Sequence, residues 1–260
     1  MKRLRSWINP LCAGALLIAL WYAVRRLGHI ESWLLPTPDE ILKAAWQERS
    51  TLLAAVLITS RGAILGFLLA VGGGFLLAMI LGFSRVIKES FYPYILIAQM
   101  MPVTILAPIF VLWLGQGLPS IVAITFMIGF FPIVANTTMG FISVDRNLQE
   151  LFLMCKASRG QEIRYLRIPG AMPYFLTGMK IAGTLAPIGA IVGDFLAGST
   201  INGQGGIGYM TLAYNAQLKT PALFATGFVA CLLGFIFVGG VNLLHWYLLH
   251  KWHDSLVKKE

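Results

Sequence analysis

Long apolar stretches, separated by short polar segments, occupy most of the chain. No charged residue occurs in Ser6–Val24, in Gly62–Ser84 or in the much longer stretch Ser90–Val144. A helix that crosses a membrane needs about 20 mostly apolar residues, so the longest stretch has room for two such helices. With Phe175–Ser199 and Ala222–Leu249 added, the pattern predicts about six membrane-spanning helices.

The polar segments between these spans predict turns and short helices. Gly115–Pro119 divides the longest apolar stretch, because glycine and proline interrupt helices. On the predicted outer side, Leu35–Pro38 is expected to be extended, since each proline restricts the residue before it. Asp39 then suits the start of a short helix. The glycine-rich segment Thr200–Pro221 predicts a surface loop with one short helix.

The composition indicates a chain dissolved in lipid rather than in water. Of the 260 residues, 57% are hydrophobic and 12% are charged, whereas soluble domains carry about 25% charged residues. The net charge of +9 would suggest a nucleic-acid partner in a soluble protein, but here the basic residues lie mainly between apolar stretches. We interpret them as topology signals and contacts to anionic lipid. A lipid bilayer is therefore an expected partner, and nucleic acid is not.

The distribution of Lys and Arg predicts that both termini lie in the cytoplasm. This orientation puts most basic residues on the inner side, as the positive-inside rule requires, although Arg25 and Arg26 count against it. Lys2, Arg3 and Arg5 resemble the start of a signal peptide. The apolar run is long, however, and no small-residue cleavage site follows it, so we expect the first span to be retained.

Neither the cysteines nor the histidines predict a metal site or a catalytic centre. The cysteines are Cys12, Cys155 and Cys231. Their odd number and their spacing fit small apolar fillers better than zinc ligands or a disulfide framework. His245, His250 and His253 cluster near the end of the last span, where a basic interfacial anchor is the better interpretation.

The segment Asp145–Pro173 is the longest predicted inner loop, and its first half has the pattern of a short amphipathic helix. Leu148, Leu151, Phe152 and Cys155 recur at i, i+3, i+4 and i+7, which places them on one helix face. Three interpretations fit this pattern. The helix lies in the lipid interface, it is a solvated connector, or it docks to a partner protein.

Several motifs of the chain resemble those of ABC-importer permeases. The "EAA" loop of that family is matched by Glu150–Phe152, Ala157–Arg159, Arg167–Pro173 and Gly178–Ala182. Further matches, in the order of the chain, are Leu35–Pro38, Pro108–Gly115, Phe131–Thr137 and Gly206–Tyr209. The resemblance covers nearly the whole chain. Its nearest branch is that of nitrate, sulfonate and taurine permeases together with thiamine- or riboflavin-precursor permeases.

The resemblance implies an all-α fold, namely a polytopic transmembrane helical bundle of about six spans with a cytoplasmic coupling helix, as in type I ABC importers. Residues 1–260 would form one transmembrane permease domain, with 145–173 as its coupling loop. A separate ATP-binding cassette ATPase subunit holds ATP and Mg in that family. This sequence has no phosphate-binding Gly-x-x-x-x-Gly-Lys-Ser/Thr loop, so we expect no cofactor on this chain. The other implied partners are an extracytoplasmic solute-binding protein and a second copy of the permease, in a bacterial inner membrane.

The resemblance also assigns residues to ATPase coupling. They are Glu150, Leu151, Phe152, Ala157, Ser158, Gly160 and Pro169. The chain departs from the family pattern where Lys156 replaces the usual loop glycine. Because lysine adopts a positive φ less readily than glycine, we expect the turn to move to Gly160. The stretch Gln161–Ile168 is then predicted to be helical, and Pro169 and Pro173 to end that helix.

Polar residues within the spans, together with Met101 beside them, are candidates for the translocation path. The set is Gln99, Met101, Thr104, Asn136, Thr137 and Asp194. Asp194 either contacts the solute or an outer gate, or it is paired and structural. The uncharged polar residues could equally join helices by hydrogen bonds. The spacing of Gly62 and Gly66, and of Gly189 and Gly193, predicts close helix packing.

Two other functional classes compete with the permease hypothesis. An ion-coupled secondary transporter or channel is expected to bury several acidic groups near the midplane, and this sequence offers Asp194 alone. A membrane enzyme needs a constellation of facing catalytic groups, and the sequence has none. The sequence therefore favours a permease subunit that moves a small polar solute delivered by an external binding protein. The solute would be a sulfonate- or nitrate-like anion or a molecule like a thiamine or riboflavin precursor.

Overall fold

The computed structural model describes residues 2–199 and 205–250, apart from the side chains near its two ends and at position 85. Within this part the chain forms helices and no strand, which confirms the all-α prediction. The helices are α1 (Lys2–Leu27), α2 (Pro38–Gln47), α3 (Arg49–Phe83), α4 (Arg85–Gln99), α5 (Val103–Leu114), α6 (Leu118–Ile142), α7 (Arg146–Met154), α8 (Arg159–Glu162), α9 (Ile168–Ala197), α10 (Ile207–Ala216) and α11 (Thr220–His250). A π-helical turn, Ile163–Arg167, joins α8 to α9. The predictions that concern 200–204 and His253 lie outside the described residues.

Four helical stretches of the described chain are long and apolar enough to cross a membrane. They are Arg49–Phe83, Leu118–Ile142, Arg159–Ala197 and Thr220–Tyr247. These stretches confirm the second, fourth, fifth and sixth predicted spans. The first span corresponds to α1, but some side chains of α1 are outside the described part, so its crossing stays a prediction.

The third span was expected to be one helix, and this is wrong. Two helices, α4 and α5, replace it and meet at an angle of 97°, so together they form at most one broken span. The break falls at Met100–Pro102, where Pro102 is extended, with φ −61° and ψ 122°, directly before α5 begins. Proline has no N–H to continue the helix, and it disfavours helical geometry in the residue before it.

The predicted turn between α5 and α6 is confirmed. Gly115 and Gly117 have φ values of 79° and 95°, which glycine adopts without steric cost. The N–H of Gly117 donates to the carbonyl of Ala197 at 2.7 Å. The turn is therefore held against the end of α9.

The core consists of α3, α6 and α9, which pack side by side along most of their length. Four glycines of α3 face α6 so closely that an added Cβ would lie nearer than 3.0 Å to a side chain there. The pairs are Gly62 with Ile121, Gly66 with Thr125, Gly74 with Ile133 and Gly82 with Phe141. On α9, an added Cβ at Gly189 would lie 3.1 Å from the Cα atom of Thr125, and one at Gly193 would lie 3.2 Å from that of Ile121, which is also tight. The predicted close packing at both glycine pairs is confirmed.

An ion pair joins the end of α1 to the start of α2. Arg25 Nη1 lies 3.1 Å from Glu40 Oε2, and Ser32 Oγ donates to Glu40 Oε1 at 3.0 Å. The backbone N–H of Thr37, which donates to Glu40 Oε2 at 2.9 Å, holds the pKa of this carboxyl below its usual range. The hydrogen bonds from Ser32 and Arg25 act in the same direction, and partial burial opposes them. The charge of Arg25, which counted against the predicted topology, is thus paired within the chain.

Candidate coupling segment and polar sites

The helix α7 projects from the bundle, with none of its residues buried. Its N-terminus is capped by Asp145, whose side chain accepts the N–H of Asn147 at 2.8 Å. Leu151 is 52% exposed and Met154 is 80% exposed, while Phe152 is half-buried. Glu150 is exposed and pairs with Arg146 at 3.3 Å. The predicted amphipathic helix therefore exists, and it presents large apolar side chains that the described chain leaves uncovered.

The turn after α7 lies at Lys156, so the expectation that it moves to Gly160 is wrong. Lys156 has a φ of 49°, and its N–H donates to the carbonyl of Leu153 at 3.0 Å. The N–H of Ala157 donates to the carbonyl of Phe152, also at 3.0 Å. These two bonds form a Schellman motif, in which a residue at positive φ ends the helix. Lysine occupies the position that favours glycine because the surrounding bonds fix the backbone there.

Ser158 starts the next helix, and Gly160 lies inside it. The Ser158 hydroxyl accepts the N–H of Gln161 at 3.3 Å, and the Gln161 side chain accepts the N–H of Ser158 at 2.8 Å. This reciprocal arrangement is a capping box. Ser158 and Gly160 are exposed, and Ala157 is half-buried. The candidate coupling loop thus contains α7, a defined turn and the beginning of the helical stretch that starts with α8.

The prediction that Pro169 and Pro173 end the second helix is wrong. Both prolines lie inside one continuous helical stretch, Arg159–Ala197, which becomes the fifth span. The π-helical turn ends two residues before Pro169, and the N–H of Ile168 donates to the carbonyl of Ile163, five residues earlier. A proline disturbs the hydrogen bonds of a helix. A π-bulge changes the local hydrogen-bond register and is one of the ways in which a helix accommodates that disturbance.

Asp194, in the last turn of α9, contacts the N-terminus of α10 and is only 1% exposed. Its Oδ2 accepts the N–H groups of Gly208 and Tyr209, at 2.8 and 3.3 Å. The hydroxyl of Thr59 donates to the same oxygen at 3.4 Å and accepts the N–H of Ile207 at 2.8 Å. A carboxylate is stabilised at a helix N-terminus by the free N–H groups and by the helix dipole. Of the two interpretations of Asp194, the paired, structural one agrees with these contacts.

Sequence reasoning did not identify Thr59 as a partner of Asp194. The two residues are 135 positions apart, and threonine within an apolar helix carries no distinguishing signal. In retrospect, Gly206 and Gly208, which flank the Asp194 contact, are such a signal. An added Cβ at Gly206 or Gly208 would collide with Asp194 or with the backbone of α9, so the α10 N-terminus can approach only without side chains there.

The remaining candidates for the translocation path divide into two groups. Gln99 and Met101 line a cavity of about 220 Å³ at the bend between α4 and α5, with α6 and α9 on its other sides. Thr104, one turn further, is exposed. Asn136 donates to the carbonyl of Pro132 at 2.8 Å, and Thr137 is fully buried. The structure therefore brings Gln99 and Met101 together and places Asn136 and Thr137 within the helix packing.

These features describe a multi-pass α-helical membrane protein with an exposed candidate coupling segment. The family model of the binding-protein-dependent transport system inner membrane component matches residues 62–246. The chain belongs to this family. The resemblance inferred from the motifs is therefore confirmed, and the chain is a membrane transport permease.

Curated relatives cover almost the entire chain. A formylaminopyrimidine transport permease protein of Halalkalibacterium halodurans is 34% identical over 96% of this chain and 98% of its own length. A riboflavin transport system permease protein of Chloroflexus aurantiacus is 31% identical, over 92% and 88% of the two chains. A putative aliphatic sulfonates transport permease protein of Bacillus subtilis is 29% identical, over 96% and 89%.

Proposed function

We propose that this permease works in an ATP-driven importer, in which α7 and the following turn receive the movement of a separate ATPase subunit. The observation that carries the proposal is the exposed α7, capped at both ends and without a buried residue, on a chain whose relatives include transport permeases. Exposed apolar side chains on a short, rigid helix fit the helix-in-groove mode of binding. This favours docking to a protein over a solvated connector.

The proposed contact surface consists of Glu150, Leu151, Phe152, Ala157, Ser158, Gly160 and Pro169. ATP and Mg would be bound by the ATPase, and this chain would bind no cofactor of its own. In this arrangement both termini and the segment 145–173 face the cytoplasm, as the distribution of basic residues predicts. An extracytoplasmic binding protein delivers the solute, and a second permease copy completes the path.

The solute class follows from the relatives rather than from a pocket. Their names include formylaminopyrimidine, riboflavin and aliphatic sulfonates, so we propose a small polar solute of one of these kinds. The relative with the highest identity among these three, at 34%, favours the precursor class. Gln99, Met101, Thr104, Asn136, Thr137 and Asp194 remain the proposed path residues, with Asp194 acting through the position of α10.

Reconstitution in proteoliposomes with the candidate ATPase and binding protein tests this function. Uptake should require hydrolysable ATP and the binding protein. Uptake by the permease alone, driven by an ion gradient, would contradict the proposal and favour the secondary transporter.

A second experiment tests the docking surface. Glu150→Lys should reduce transport per ATP hydrolysed without changing the thermal stability of the spans. Glu31→Lys, the same charge change at an exposed outer position, is the matched control. Equal transport per ATP in the Glu150 variant and the wild type would exclude Glu150 from coupling.

A further inference from the structure

The side chain of Arg167 joins two segments that are far apart in the sequence. Its guanidinium lies 2.7 Å from Glu162 Oε1, at the end of α8. Its Nη1 donates to the backbone carbonyl of Gly82, in the last turn of α3, at 3.4 Å. About a quarter of each side chain of the ion pair is exposed, so the contact is partly shielded from water. Arg167 therefore connects the coupling segment to the inner end of a spanning helix.

The carbonyl of Gly82 is a suitable acceptor for this contact. The last four carbonyls of a helix have no partner within it, and they carry the negative end of the helix dipole. Gly82 also packs against Phe141 of α6 so closely that a side chain there would collide. A cation at this carbonyl is thus held at the point where the ends of α3 and α6 meet.

The π-helical turn makes the pair possible. Glu162 and Arg167 are five positions apart, and in an α-helix only residues three or four apart face each other. Between them lies Ile163–Arg167, where hydrogen bonds run over five residues rather than four. The widened turn brings the two charges to the same side. Any change that restored regular α-helix here would separate Glu162 from Arg167.

We propose that Arg167 is a positioning residue for transport: it transmits displacement of α7 and α8 to the inner end of α3. The proposal rests on the proposed function, because it requires that an ATPase moves this segment. Without the Arg167 contact, α8 can shift more freely relative to α3, because this hydrogen bond ties the segment directly to the last turn of α3. ATP hydrolysis then continues while transport falls.

The test is transport per ATP hydrolysed in proteoliposomes that contain the complete complex. Arg167→Gln should lower this ratio by about tenfold, the factor expected when a charge-assisted contact is lost. Glu162→Gln should lower it less, since the Gly82 contact remains, and the double variant should be no worse than Arg167→Gln. Arg167→Lys keeps the charge but cannot bridge both partners. Its transport per ATP should therefore lie between that of Arg167→Gln and that of the wild type.

Arg164→Gln is the matched control. Arg164 belongs to the same π-helical turn, but it is exposed and lies over the ring of Tyr165, at 5.7 Å from its centroid. This variant should keep the wild-type ratio. A wild-type ratio in Arg167→Gln, or an equal loss in Arg164→Gln, would overturn the proposal.

The outcomes distinguish the proposed function from the proposed role of Arg167. If wild-type uptake does not depend on ATP, the proposed function fails, whatever Arg167 does. If wild-type uptake depends on ATP and Glu150→Lys uncouples it while Arg167→Gln does not, the function stands and the role of Arg167 fails. Thermal unfolding of each variant, with Arg167→Lys as the milder substitution, distinguishes lost coupling from lost folding.

Discussion

The hydroxyl of Thr59 lies 3.4 Å from Oδ2 of Asp194, although the two residues are 135 positions apart in the sequence. Together they accept three backbone N–H groups from the first turn of α10, those of Ile207, Gly208 and Tyr209. One buried carboxylate and one hydroxyl therefore fix α10 to both α3 and α9.

The first prediction concerns this contact. Asp194→Ala leaves buried N–H groups without their acceptor, so the free energy of unfolding should fall by about 2 to 3 kcal/mol. Asp194→Asn keeps one acceptor oxygen and should cost less. Thermal unfolding in detergent measures both. If Asp194 instead served mainly as a solute contact, Asp194→Asn would alter the KM for uptake and leave the stability unchanged.

The second prediction concerns the turn at Lys156. Lysine at a φ of 49° is strained relative to glycine, by about 1 kcal/mol. Lys156→Gly should therefore slow amide hydrogen exchange in the last turn of α7 by about fivefold. Lys156→Ala still has a Cβ and should give no such protection. Equal exchange in the glycine and alanine variants would show that the backbone at this turn is not strained.

The third prediction concerns the contact between α3 and α6. An added Cβ at Gly66 would collide with Thr125, so Gly66→Ala should destabilise the bundle by about 1 to 3 kcal/mol. Gly72 lies on the same helix with no atom within 4 Å of an added Cβ. Gly72→Ala should be neutral or slightly stabilising, because alanine favours the helix. Thermal unfolding compares the two, and similar losses at both positions would contradict the packing described.

The fourth prediction concerns pH. The pKa of Glu40 is lowered in the folded chain, so its contribution to stability is complete above the ordinary value of about 4.3. That contribution is lost as the pH falls through the lowered pKa, when the carboxyl becomes protonated and the contact with Arg25 weakens. Thermal unfolding between neutral and strongly acidic pH should show this loss.

Two variants control the pH experiment. Glu40→Gln should remove the corresponding part of the acid sensitivity, while Glu31→Gln, at an exposed carboxyl, should retain it. An unchanged acid profile in Glu40→Gln would show that this carboxyl is not linked to folding.

Most of the bundle could be predicted from local patterns. Long apolar stretches predicted the spans of α3, α6, α9 and α11, and glycine pairs predicted the close packing of α3 and α9. Hydropathy, however, contains no information about the direction of a helix axis. It gave no sign that the chain turns by 97° at Met100–Pro102, because a bent pair of helices is as apolar as a straight one.

Prolines and long-range contacts limited the prediction of the functional segment. Pro169 and Pro173 indicated a helix end, but a π-helical turn lets the helix continue, and that turn has no recognised sequence pattern. The contacts of Arg167 with Gly82 and of Asp194 with Thr59 depend on how the spans assemble. A motif shows that a residue is of functional interest, but only the packed structure shows its partner.

The glycines of α3 have a mechanical consequence. They recur along the helix, and at each of them a side chain of α6 packs directly against the backbone of α3. Sliding by one residue, about 1.5 Å, would drive those side chains into the backbone of α3. Transport therefore cannot proceed by sliding of α3 along α6.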